Sequence, residues 1–145
     1  MKSFLKLAAM MAIVASLTTG CAVNRATGSV EPGTNLAALK TMYVKKPQGD
    51  DGGTGDLIAD KLRSKGVTVS SGTDANPKNV DAVVTYTDKW MWDITMYMLE
   101  LTIVMRDPES NFPKAKGNSY HTSLTRLSPK EMVNEVIDNI YKGAK

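Results

Sequence analysis

Ile94-Thr95-Met96-Tyr97-Met98-Leu99-Glu100-Leu101-Thr102-Ile103-Val104-Met105-Arg106 is the stretch on which the fold turns. Tyr97, Leu99, Leu101, Ile103 and Met105 recur at every second position, the period of a strand that buries one face. On its C-terminal side, Asp107-Pro108-Glu109-Ser110-Asn111 supplies turn chemistry. Lys114 to Leu124 is then predicted to return antiparallel. On its N-terminal side, Val80 to Thr87 is rich in Val and Thr, carries Tyr86, and predicts the preceding strand. The centre of the chain therefore reads as an antiparallel meander.

Helices flank it. Ser128-Pro129-Lys130-Glu131 is a capping box with proline at the first helical position. It opens a helix whose Met132, Val133, Val136, Ile137, Ile140 and Tyr141 form an apolar stripe, closed by Gly143. Upstream, Leu57, Ile58 and Leu62 lie at helical spacing within residues 56–65, with Gly66 as a C-terminal cap. Leu39 to Lys46 and the pair Val67 and Val69 predict two short strands, and Ser70 to Lys78 is turn material. The predicted order is β-α-β-β-β-β-α. That order implies an α+β fold: one mostly antiparallel sheet of about four to five strands with two helices on one face. Residues 39–145 suffice for one such domain. The other sheet face is expected to be open or bound to something.

The N-terminus has a different character. Met1-Lys2-Ser3-Phe4-Leu5-Lys6 is basic, Leu7 through Leu17 is 11 residues without a charge, and Thr18-Thr19-Gly20-Cys21 follows. A basic start, an apolar run and small residues at a cleavage point form an export signal. The run is shorter than the roughly 20 apolar residues of a membrane-spanning helix.

Thr18-Thr19-Gly20-Cys21 resembles the lipobox of bacterial lipoproteins, with Thr18 where leucine is usual and Leu17 one place earlier. The resemblance implies that residues 1–20 are a lipoprotein signal peptide cleaved between Gly20 and Cys21. It implies further that the Cys21 thiolate takes a diacylglyceryl group and that the new amine is acylated. The partner so implied is membrane lipid. Ala22, rather than Asp, follows the cysteine, which by similarity to the sorting rule of enteric bacteria points to the outer membrane with the domain in the periplasm. Residues 21–38, rich in Asn, Thr, Gly, Ser and Pro, read as the lipidated N-terminus and a tether.

The formal net charge of +3 suggests nucleic acid until the charge is located. Lys2 and Lys6 lie in the leader and no acid does, so the remaining basic and acidic side chains nearly balance. With no basic cluster and an exported location, no nucleic-acid partner is expected. One cysteine excludes an internal disulfide, and one histidine beside it argues against a zinc or iron–sulfur site. No metal or other cofactor is expected.

No catalytic signature emerges either. Gly52-Gly53-Thr54-Gly55 precedes a helix as a phosphate loop does, but it lacks the lysine, and Asp50, Asp51 and Asp56 would repel phosphate. A flexible loop before an acid-favouring helix N-terminus accounts for it. His121 near Ser119 and Ser123 reads as structural or exposed rather than catalytic. Asp88, Asp93 and Glu100 could pair as acid and base, yet turn hydrogen bonding explains carboxylates beside a hairpin equally well.

The most informative patch is Trp90-Met91-Trp92, which holds both tryptophans. On an extended strand, Ile94, Met96 and Met98 share the face opposite Tyr97, Leu99 and Leu101. That face should be polar in a one-sided sheet. Trp90, Trp92, Ile94, Met96 and Met98 thus form either a surface under a loop or tether, or a candidate surface for an envelope protein or self-association. In architecture the chain resembles envelope assembly and accessory lipoproteins, including those of lipopolysaccharide assembly. The expectation is a non-enzymatic, membrane-anchored periplasmic module. A small-ligand or cell-wall-glycan binder using the tryptophans is the alternative.

Overall fold

The computed structural model describes residues 23–50 and 53–144. The strands are β1 (Asn24–Val30), β2 (Thr41–Lys45), β3 (Thr68–Gly72), β4 (Ala82–Asp93), β5 (Thr95–Arg106) and β6 (Pro113–His121). The helices are α1 (Thr54–Ser64) and α2 (Pro129–Lys142). Two short 3-10 turns, Leu36–Ala38 and Ser123–Thr125, lie in the connections.

All six strands join one sheet in the order β1-β6-β5-β4-β2-β3. The β1–β6, β6–β5 and β5–β4 joins are antiparallel, whereas β2 is parallel to both β3 and β4. The α+β class and the two helices on one face stand as expected. The sheet is larger than the expected four to five strands, and it is mixed. The parallel joins follow from the β2-α1-β3 crossover, since a helix between two neighbouring strands returns the chain to the same end of the sheet.

The additional strand comes from the residues expected to be tether. Asn24–Val30 carries almost no apolar side chain, so no burial period marks it. It is held instead by a backbone ladder to β6, from Asn24 opposite His121 to Val30 opposite Ala115. The C-terminal half of α2 lies directly on it. A Cβ on Gly28 would come within 2.3 Å of the Asn139 backbone, so only glycine allows this approach. Gly28 pairs with Gly117, whose own Cβ would meet Val136 and Ile140.

Between the helices and the sheet lies the core. Met42 and Val44 of β2, Val84 of β4 and Leu101, Ile103 and Met105 of β5 meet Ile58 and Leu62 of α1 and Val133, Val136, Ile137 and Ile140 of α2. Lys61 of α1 and Lys65, the residue that follows that helix, both reach Asp138 of α2, at 3.0 and 2.7 Å. The capping box forms as read: Ser128 Oγ accepts from the Glu131 N–H, and the Glu131 carboxylate accepts from the Ser128 N–H at 2.8 Å. Gly66, at φ +86, ends α1 in the left-handed conformation, whereas Gly143 ends α2 with a right-handed one.

One local feature reverses an expectation. Lys89 stands opposite Glu100, but Trp90 stands opposite Met98, so Leu99 is an extra residue on β5. Such a bulge switches the faces of everything beyond it. Met98 therefore points with Leu101 towards the helices and is fully buried, and Tyr97 passes to the other face. Strict alternation through Leu99 places them the other way. Ile94, expected in a strand, is instead the turn residue between Asp93 and Thr95.

Candidate functional site

Cys21, Gly20 and Ala22 lie outside the described residues, as do Asp51 and Gly52. The remaining candidates are described.

The three carboxylates do not converge. Asp88 accepts from Thr54 Oγ1 at 2.9 Å and from Trp90 Nε1 at 3.1 Å, which ties the hairpin to the first turn of α1. Glu100 lies on the face away from the helices, held by Lys89 at 2.7 Å and Asn118 at 2.9 Å. Those two donors keep its carboxyl below the usual range, Lys89 foremost. Asp93 accepts from Ser123 Oγ and lies 3.9 Å from Arg126. Each carboxylate thus fastens a different pair of elements.

His121 is buried on β6, with Nε2 2.8 Å from Glu135 of α2. Ser119 Oγ donates to the same carboxylate oxygen at 2.5 Å. Serine and histidine share an acceptor here and do not bond each other, the reverse of a nucleophile–base pair. The cluster clamps α2 to β6. At the glycine–aspartate loop, Asp50 accepts from the Gly55 N–H at 3.1 Å, and Lys46 pairs with Asp56 at 2.6 Å. Both are contacts that start α1. Among the described residues no group of three His, Cys, Asp or Glu side chains could hold a metal ion.

The β4–β5 hairpin differs from the rest of the surface. It runs past the end of β6, which stops at His121. By register, Trp90, Trp92, Met96 and Met98 share the helix side, but the helices cover it only as far as Met98. Beyond that point Trp92 is 68% exposed, Met96 55% and Ile94 85%. Trp90 and Met91 are exposed to a lesser degree, on the two faces. Four of the five residues read from sequence as one surface are therefore together on the outside, and Met98 belongs to the core.

Ile94 turns the chain at φ +64. A β-branched residue in the left-handed region is a genuine outlier, at a cost of about 1–2 kcal/mol. Residues 122–126 run alongside the hairpin, where β6 would have continued. Arg126 bonds Thr95 Oγ1 at 2.9 Å and the Asp93 carbonyl at 3.4 Å, and it stacks 4.8 Å from the Tyr97 ring. The Val23 carbonyl accepts from Thr122 and Thr125. Val23 and Leu124, both exposed, thereby join the hairpin at one end of the sheet. Sequence reading missed these two because neither lies in a periodic segment; they meet the hairpin through β6.

A cavity of about 330 Å³ opens at the opposite end, where β2 begins. Leu36, Lys40, Lys65, Val67 and Tyr141 are among its lining residues.

No protein-family model and no curated protein sequence matches this chain. Solved structures share its fold. The PelC dodecamer from Paraburkholderia phytofirmans aligns with TM-score 0.61 at 14% identity, over 81% of this chain and 97% of that one. A single-substitution variant of that dodecamer gives 0.58 at 15% identity, with the same coverage. A minor lipoprotein from Acinetobacter baumannii aligns with TM-score 0.38 at 14% identity, over 72% of this chain and 89% of its own. The PelC alignments establish a shared fold.

Proposed function

We propose that this chain is an exported, lipid-anchored protein of the bacterial envelope, a non-enzymatic accessory module that works by contact. The observation that carries the reading is the position of Cys21. It ends a leader of lipoprotein type and stands two residues before Val23, where the described domain begins. A diacylglyceryl thioether there would hold the domain close against a membrane, because two residues reach at most about 7 Å. Ala22 after the cysteine favours the outer membrane and a domain facing the periplasm.

The protein contact in this reading is made by the side of the sheet that no helix covers. Arg25, Lys89, Glu100, Asn118 and Tyr120 lie there by register, a polar surface suited to an envelope protein or a further copy of the chain. PelC of P. phytofirmans is a dodecamer, which favours self-association as the form of that contact. Glycan binding at the tryptophans is the weaker reading, since they sit on a projecting hairpin and the cavity described above is at the other end of the sheet.

Expression of Cys21→Ala beside the wild type tests the anchor. Labelled fatty acid should enter the wild type and not the variant, and the variant should move to the soluble fraction. Unlabelled wild-type protein, or an equally labelled variant, would overturn the proposal.

A further inference from the structure

We infer that the β4–β5 hairpin is a second membrane contact, its tip seated in the lipid interface beside the Cys21 anchor. The orientation rests on the anchor proposed above; the chemistry of the tip does not.

The exposed apolar side chains are concentrated. Five lie on the hairpin between Trp90 and Met96, and Val23 and Leu124 lie beside it. Among the large exposed hydrophobic side chains of the described residues, Phe112 alone stands at the far end of the sheet. The antiparallel ladders fix this placement. β1 begins where β6 ends, and β5 begins at that same end. The chain therefore leaves the domain towards Cys21 from the end that carries the hairpin. Any lipid on Cys21 must lie within a short reach of Val23, and so close to the hairpin's side of the molecule.

The tip has the composition of an interfacial anchor. Tryptophan favours the boundary between headgroups and acyl chains, where its ring is apolar and its N–H is satisfied. Trp90 Nε1 already has its partner in Asp88. Asp93, the carboxylate within the tip, is engaged by Ser123 and Arg126, so entry does not strand an unpaired charge. Ile94 occupies the outermost turn, where glycine or asparagine would relieve the backbone and suit water better. Strain together with an exposed aliphatic side chain at one position makes sense if that side chain is buried in the working state. A diacylglyceryl group on Cys21 would already attach the protein to a membrane, so the hairpin adds a second point of contact that fixes how the domain is oriented on it.

The test uses the chain from Ala22 to Lys145, which contains the whole described fold and has no cysteine to carry lipid. It is mixed with vesicles of phosphatidylethanolamine and phosphatidylglycerol. Tryptophan emission should shift to the blue and be quenched by lipids brominated near the top of the acyl chain. The triple substitution Trp92→Ser, Ile94→Ser, Met96→Ser should lower vesicle co-sedimentation by about tenfold or more, with unchanged circular dichroism. Phe112→Ser should leave it unchanged. Absence of quenching, or wild-type binding by the triple variant, would overturn the inference. So would a vesicle-free oligomer that the triple variant dissociates, because the patch would then belong to a second copy. Labelling at Cys21 is read separately, so a failed anchor and a failed hairpin give different results.

Discussion

Gly28 and Gly117 face each other across the β1–β6 ladder, and together they let α2 settle onto the sheet. Their missing side chains are not equivalent. A Cβ on Gly28 meets helix backbone at 2.3 Å, whereas one on Gly117 meets the Val136 and Ile140 side chains at 2.7 and 2.9 Å. Side chains can shift where a helix backbone cannot. Gly28→Ala should therefore cost more than Gly117→Ala, at least about 1–3 kcal/mol, read as a lower urea midpoint. If Gly28→Ala proved neutral, α2 would not rest on β1 as described. At the opposite extreme, Ile94 keeps a left-handed backbone that its own side chain resists. One site is small because the interior requires it; the other is large where the fold gains nothing from it.

At the scale of elements, the hairpin shows how far sequence reaches. The period-two run that ends in Leu101, Ile103 and Met105 identifies β5 and its buried face, and those three residues are fully buried. The same rule fails at Leu99, because a bulge inserts a residue that no side-chain pattern announces. β1 offers no pattern to read, since its ladder is made of backbone and its packing depends on a glycine. The capping box that starts α2 is legible because its two hydrogen bonds use side chains of fixed spacing. The tryptophan patch is legible as a cluster, but its neighbours Val23 and Leu124 come from distant parts of the chain.

Asp81 joins two further elements. Its carboxylate accepts from the Thr41 and Lys40 N–H groups, each at 2.8 Å, and from Thr41 Oγ1, fastening the start of β2 to the residue before β4. These bonds, the Thr41 amide first, lower its pKa below the ordinary value. A depressed carboxyl group contributes stability that is complete above its unfolded pKa, near 3.9, and is lost as pH falls through the folded value. Thermal or urea midpoints should therefore fall below about pH 4, and Asp81→Asn should make that fall shallower. Parallel pH profiles for the two proteins would show that Asp81 has no such role.

At the scale of the molecule, the two ends of the sheet have separate characters. One carries the hairpin, Val23 and Leu124, next to the chain that leads to Cys21. The other carries the β5–β6 turn and the cavity by β2. Between them the helices cover one face; the other presents Arg25, Lys89, Glu100, Asn118 and Tyr120, with Tyr43, Val83 and Tyr97 buried along it. Under the anchor and hairpin proposals made above, the apolar end would meet lipid while the uncovered face would remain free for protein. This orientation can be measured on the lipidated protein in bilayers, with a spin label on Ile94→Cys in one preparation and on Phe112→Cys in another. The label at 94 should collide more with oxygen, which concentrates in lipid, and the label at 112 more with a water-soluble nickel complex. Equal exposure of both labels to the nickel complex, or lipid contact at 112 and not at 94, would contradict this orientation.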